Sequence, residues 1–83
     1  MKVTVIGSHQ CPDTLYALCE LKRRGAEIDF CDLSSSLQNL KTYLALRDRD
    51  PLYEQVRGTD RLGIPCFLLP DGSKTMDLDA LLK

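Results

Sequence analysis

The chain has 83 residues, 43% of them hydrophobic and 28% charged, with 11 Lys and Arg against 12 Asp and Glu for a net charge of −1. That balance fits one small globular domain over residues 1–83 and excludes a disordered chain, which would need less apolar and more unbalanced charged content. The basic residues stand in short pairs such as Arg23-Arg24, not in a stripe that neutralises many phosphates, which argues against a nucleic-acid binder.

The opening Met-Lys-Val-Thr-Val-Ile-Gly is too short an apolar stretch for a secretory signal and far from the ~20 residues that span a bilayer. The expected setting is therefore the reducing cytoplasm, without membrane attachment. There the four cysteines, Cys11, Cys19, Cys31 and Cys66, are expected as thiols, not disulfides. No Cys-x-x-Cys or His-x-x-x-His spacing occurs, so no metal is expected.

In chain order, Val3, Val5 and Ile6 predict a short buried strand ended by Gly7. Cys11 stands at the capping position of a first helix with Pro12 at its first residue, and apolar residues recur through Ala17, Leu18 and Leu21. Arg23-Arg24-Gly25 closes it with cations at the negative helix end and a glycine for the left-handed residue. Ile28 and Phe30 mark a second strand, parallel to the first because a helix joins them. Ser35 and Gln38 form a capping-box pattern for a second helix whose Leu37, Leu40 and Leu44 are expected in the core.

Asp50-Pro51 opens a short helical segment through Tyr53 and Val56 to Gly58. Ile64 to Leu69 reads as a buried strand, Pro70-Asp71-Gly72-Ser73 as a hairpin turn, and Lys74 to Met76 as a short edge strand. Asp77 caps a last helix holding Leu78, Leu81 and Leu82. The predicted order is β-α-β-α-β-β-α, an α/β domain with a four-stranded mixed sheet and helices on both faces. Cys19 and Cys31 are expected as small core residues, and Arg47, Arg49, Arg57 and Arg61 as solvated charges, or as a cluster that orients an anionic tripeptide or a protein partner.

This order, with Cys11-Pro12-Asp13-Thr14 at the start of the first helix and Gly63-Ile64-Pro65-Cys66-Phe67 ahead of Asp71-Gly72, resembles the thioredoxin fold and, within it, the glutaredoxins. The resemblance covers nearly the whole chain. Thr14 stands where two-thiol glutaredoxins have a second cysteine, so the likeness is to a single-thiol form, although the common single-thiol motif is Cys-Gly-Phe-Ser. The stretch from about Leu46 to Arg61 is longer than in compact glutaredoxins, and Lys74-Thr75-Met76 replaces a Gly-Gly pair found in many glutathione-binding members.

The resemblance implies a glutathione-linked thiol–disulfide oxidoreductase of cell redox homeostasis, with Cys11 as nucleophile and Pro12, Asp13, Thr14 and a cis Pro65 as active-site support. Glutathione, or another low-molecular-weight thiol, is the implied co-substrate, and disulfide-containing or glutathionylated proteins are the implied partners. Ile64 would pair through its backbone with the substrate, Asp77 would meet the amino group of a γ-glutamyl moiety, and His9 would stand near its carboxylate. Cys66 is either a second thiol that traps Cys11 in a disulfide or a core residue turned inward by strand alternation.

The chemistry requires a thiolate, and a free cysteine thiol, whose pKa is about 8.5, is mostly protonated at neutrality. At a helix N-cap the Cys11 sulfur would face the amides of Asp13 and Thr14 and gain from the helix dipole. A Thr14 hydroxyl would add to this, while the Asp13 carboxylate would oppose it. Two other functions fit the same residues: a redox-inert protein-binding module, and a carrier in which two Cys11 thiolates and two glutathiones hold a [2Fe–2S] cluster across a dimer.

Overall fold

A computed structural model describes all residues, Met1–Lys83. Six elements build the frame: β1 (Lys2–Gly7), α1 (Pro12–Arg23), β2 (Glu27–Asp32), α2 (Leu37–Arg49), β3 (Cys66–Leu68) and β4 (Lys74–Thr75). A 3-10 turn at Pro51–Tyr53 follows α2, and α3 (Leu78–Leu82) ends the chain. The sheet order is β2-β1-β3-β4. β1 runs parallel to β2, with Val5 opposite Phe30, and antiparallel to β3, with Val5 opposite Phe67. The molecule is thus a small α/β domain on a four-stranded mixed sheet.

Strand alternation divides the core in two. Val3, Val5 and Phe67 point to one face, where Ala17 and Leu21 of α1 and Leu81 of α3 cover them. Ile6 and Cys66 point to the other, against Tyr43 of α2 and Tyr53. Val5, Leu21, Tyr53, Cys66 and Phe67 are wholly inaccessible to solvent.

Helix α1 begins and ends where its sequence signals stand. Pro12 occupies its first position, Asp13 its first turn, and Lys22 and Arg23 its last. At its end Gly25 adopts φ +78, and the N–H groups of Gly25 and Ala26 donate to the carbonyls of Lys22 and Leu21, at 3.0 Å each. This is the Schellman closure that satisfies the final carbonyls of a helix. In the β3–β4 turn, Gly72 has φ +90 and the Asp71 carboxylate accepts from the Ser73 N–H at 2.9 Å.

Several expectations need correction. The capping residue of α2 is Ser36, not Ser35: its hydroxyl accepts from the Asn39 N–H at 3.0 Å, whereas Ser35 donates to the Asp32 carbonyl. Ser36→Ala is therefore expected to cost about 1 kcal/mol in a denaturant titration, and Ser35→Ala less. The inner face of α2 is built on Leu40 and Tyr43, leaving Leu37 75% and Leu44 40% exposed. Cys19 is exposed rather than in the core.

Strand β3 is shorter than Ile64–Leu69 because Gly63 takes φ +69 and the Ile64–Pro65 peptide is cis, and Pro65 has no N–H for the ladder. Pairing with β1 starts only at Cys66. No helix is long and apolar enough to cross a membrane.

Candidate active site around Cys11

The loop from Gly7 to Cys11 joins the centre of the sheet to the first turn of α1. Cys11 takes an extended conformation at the N-cap, with its N–H donating to the Ser8 carbonyl at 3.0 Å and its carbonyl accepting from Leu15 at 3.1 Å. The residue is half-buried. Its sulfur accepts no hydrogen bond from the first turn, so the capping contacts with the amides of Asp13 and Thr14 expected from the sequence are not made.

Thr14 also departs from expectation. Its side chain is fully buried, turned onto Gly7, and its hydroxyl oxygen accepts from the Ser8 N–H at 3.4 Å. Thr14 therefore fastens the loop to α1 and does not serve the sulfur. The reason is the helical period: position 14 shares the inward stripe of Ala17 and Leu21.

Cys11 opens onto a surface cavity whose far wall is Arg61, Leu62, Gly63 and Ile64. Asp13 and Ile64 also border a second, adjoining cavity of about 270 Å³, with Tyr16, Pro65 and Asp77 in its wall. The two cavities thus bring Cys11, Asp13, Ile64, Pro65 and Asp77 to one continuous surface. Asp77 is at the same time the N-cap of α3, accepting from the Asp79 N–H at 3.0 Å.

Neither the N–H nor the C=O of Ile64 enters any backbone or side-chain hydrogen bond of the chain, although the Gly63 carbonyl just before it is held by the Tyr53 hydroxyl. An unpaired, half-buried peptide edge facing a cavity is an invitation to a strand-like partner, because main-chain groups away from water must find partners. The charged residues of the lining are mostly acidic: Asp13, Asp60, Asp77 and Asp79 stand against the single cation Arg61.

His9 does not line either cavity. Its Nδ1 stands 2.7 Å from Oδ2 of Asp32, and its N–H donates to Oδ1 at 3.3 Å. This correction has a simple cause: a carboxylate 23 residues away competes for the imidazole. Burial alone would raise the Asp32 pKa, but the hydrogen bonds from the His9 ring and from the Ser34 and His9 amides outweigh it and hold the carboxyl below its usual range. A depressed folded pKa contributes stability above the unfolded value, about 3.9 for aspartate, and that contribution is lost as pH falls through the folded value. Melting temperature should therefore drop as pH is lowered below about 4, and Asp32→Asn should flatten that part of the profile; thermal melts across acidic pH check it.

Cys66 lies in the core beside Tyr53, away from both cavities. Burial pushes its thiol pKa up, with the neighbouring Tyr53 hydroxyl pulling the other way. A second thiol at this position would have to leave the core to meet Cys11, so the alternation reading of Cys66 replaces the resolving one. Burial likewise raises the Cys31 thiol, helped by Asp29 and Asp32. No group of three or more His, Cys, Asp or Glu side chains is arranged to hold a metal ion.

Of the four arginines read as solvated charges or as a cluster orienting an anionic tripeptide or a protein partner, only Arg61 lines the Cys11 cavity. Tyr16, at position i+5 from Cys11 and outward on α1, lines the adjoining one. Arg47 is not a solvated charge: one guanidinium nitrogen donates to the carbonyls of Val56, Thr59 and Arg61 at 3.1–3.3 Å.

A protein of Haemophilus influenzae (strain ATCC 51907 / DSM 11121 / KW20 / Rd), described as an uncharacterized protein, is 39% identical to this chain over 71 residues, covering 86% of the chain and 83% of that protein. No protein-family model matches the chain, and no solved structure matches it. At that identity and coverage, the chain belongs to the same family as this Haemophilus influenzae protein.

Proposed function

We propose that the chain is a glutaredoxin-like member of the thioredoxin fold and acts in the cytoplasm as a glutathione-linked thiol–disulfide oxidoreductase with Cys11 as its only reacting thiol. One observation carries the reading: Cys11 faces, across a shared cavity, the unpaired peptide edge of Ile64. A disulfide-bearing segment that pairs with that edge would present its sulfur to Cys11.

The Cys11 thiolate attacks the glutathione sulfur of a mixed disulfide, forming a Cys11–glutathione disulfide as the substrate S–S bond breaks; the departing substrate thiolate takes a proton from solvent. A second glutathione thiolate then attacks the glutathione sulfur on Cys11. Oxidised glutathione leaves, one half from the substrate and one from solution, and the Cys11 thiolate is restored, so the net exchange consumes one reduced glutathione for each substrate thiol released. Asp77 suits the γ-glutamyl amino group, and Arg61, rather than His9, suits a glutathione carboxylate. The acidic lining admits an amino group more readily than a second carboxylate.

Turnover of a glutathionylated peptide with reduced glutathione tests the reading, with Cys11→Ser as control. Activity in the parent chain and none in the variant supports it; equal rates in both refute it. A specific observation favours a second reading, that of a redox-inert protein-binding module: the Cys11 sulfur lacks the capping hydrogen bonds that would favour its thiolate. A parent chain that binds but never turns over would select it.

A further inference from the structure

The stretch between α2 and β3, longer than a minimal connection, ends in an unusual pattern of main-chain capture. Three successive carbonyls, those of Arg61, Leu62 and Gly63, each accept a hydrogen bond from a side chain of α2 or of the turn that follows it. Arg47 donates to Arg61 at 3.1 Å, Tyr43 to Leu62, and Tyr53 to Gly63 at 2.9 Å. In the next residue, Ile64, both the N–H and the C=O are left without a partner.

These donors are themselves rigid. Tyr53 is fully buried and Tyr43 nearly so, and their rings meet edge-on with centroids 6.1 Å apart. The Arg47 carbonyl accepts from Arg57 at 3.0 Å, which ties the far side of the segment to α2. Asp50 closes the unit onto the sheet, capping the 3-10 turn through the Leu52 N–H and pairing with Lys74 of β4 at 3.1 Å. Gly63, at φ +69, sits tightly against Val56 and Met76: a Cβ there would come within 3.1 Å of Val56.

We propose that Tyr43, Arg47 and Tyr53 are positioning residues that fix the height and direction of the Ile64 edge opposite Cys11, so that the 46–61 segment sets how a substrate's main chain docks. The inference rests on the reading of Cys11 and Ile64 given above for its kinetic consequence, but the anchoring itself does not. A phenol aimed at a carbonyl is a hydrogen bond with a defined direction. Two such bonds on consecutive residues leave the following peptide little freedom to turn away from the cavity.

The experiment uses the double variant Tyr43→Phe/Tyr53→Phe, which keeps both rings and removes only the hydroxyls, and Arg47→Met as an independent variant that keeps the aliphatic stem. Two readouts are taken. KM for a glutathionylated peptide should rise about tenfold, as expected for one or two lost hydrogen bonds' worth of orientation, while kcat and the alkylation rate of Cys11 stay within about twofold of the parent. Backbone order parameters of Leu62, Gly63 and Ile64 should fall from about 0.85 towards 0.6 with those of β1 unchanged.

A lower melting temperature with unchanged KM and unchanged order parameters overturns the proposal, since the phenols would then only stabilise the core. If the parent chain shows no turnover, the oxidoreductase reading fails, and the order parameters alone decide the anchoring: loosening confined to 62–64 upholds it, and none overturns it.

Discussion

Gly7→Ala should lower the unfolding free energy by about 2 kcal/mol, and with it the melting temperature by about 10 °C. Gly7 is the last residue of β1, and a Cβ there would stand 2.5 Å from the Thr14 hydroxyl oxygen and 2.6 Å from its methyl carbon. Thr14 has no room to yield. It is β-branched, wholly buried, and held to the Ser8 amide. Relief must come from shifting the first turn of α1 away from the sheet, and Cys11 caps that turn. The loss should therefore appear twice, in a denaturant titration and as a changed rate of Cys11 alkylation. Thr14→Ser in the Gly7→Ala background removes the methyl and should recover part of both.

Cys11→Ser is expected to behave in the opposite way, leaving the fold intact and removing function. Its side chain is half-buried and accepts no capping hydrogen bond, and serine is itself a favoured N-cap residue, so stability should hold or rise slightly. An alkoxide is not available near neutral pH and an oxygen cannot form the mixed disulfide, so turnover should fall to the rate of the uncatalysed exchange. Cys19→Ser and Cys66→Ser distinguish a general thiol effect. Cys19 is exposed on α1 and should be dispensable. Cys66 is sealed in the core with a raised pKa, so its replacement should lower stability, because a hydroxyl is less readily buried than a thiol.

The parts of the fold legible in the sequence are those governed by neighbours along the chain. Pro12 and Gly25 delimit α1 because one has no N–H to satisfy and the other accepts a positive φ. The Asp71-Gly72 turn and the Asp50 and Asp77 caps are local for the same reason. What the sequence hides is side-chain chemistry aimed at distant main chain. Arg47 serves carbonyls 9, 12 and 14 residues away, and a carbonyl looks alike in every residue, so nothing at positions 56, 59 or 61 announces it.

The face of α2 was misread for a related reason. Three leucines suggested the apolar stripe, but Tyr43 fills the core with its ring while its hydroxyl reaches the Leu62 carbonyl, an arrangement open to an amphipathic side chain and closed to leucine. At the site, Cys11, Asp13, Ile64, Pro65 and Asp77, which the resemblance to glutaredoxins implies, share one surface. His9 departs from expectation because Asp32 reaches it only once β1 and β2 are paired, and Thr14 because the period of α1 turns it inward onto Gly7 and Ser8.

The reactivity of the Cys11 sulfur is tested most directly by intact-mass measurement after incubation of the native protein with oxidised glutathione, followed by peptide mapping. A single glutathione adduct on the peptide carrying Cys11, reversed by reduced glutathione and absent from Cys11→Ser, is the predicted result. An unmodified mass, or an adduct on Cys19 with Cys11 left free, would contradict it.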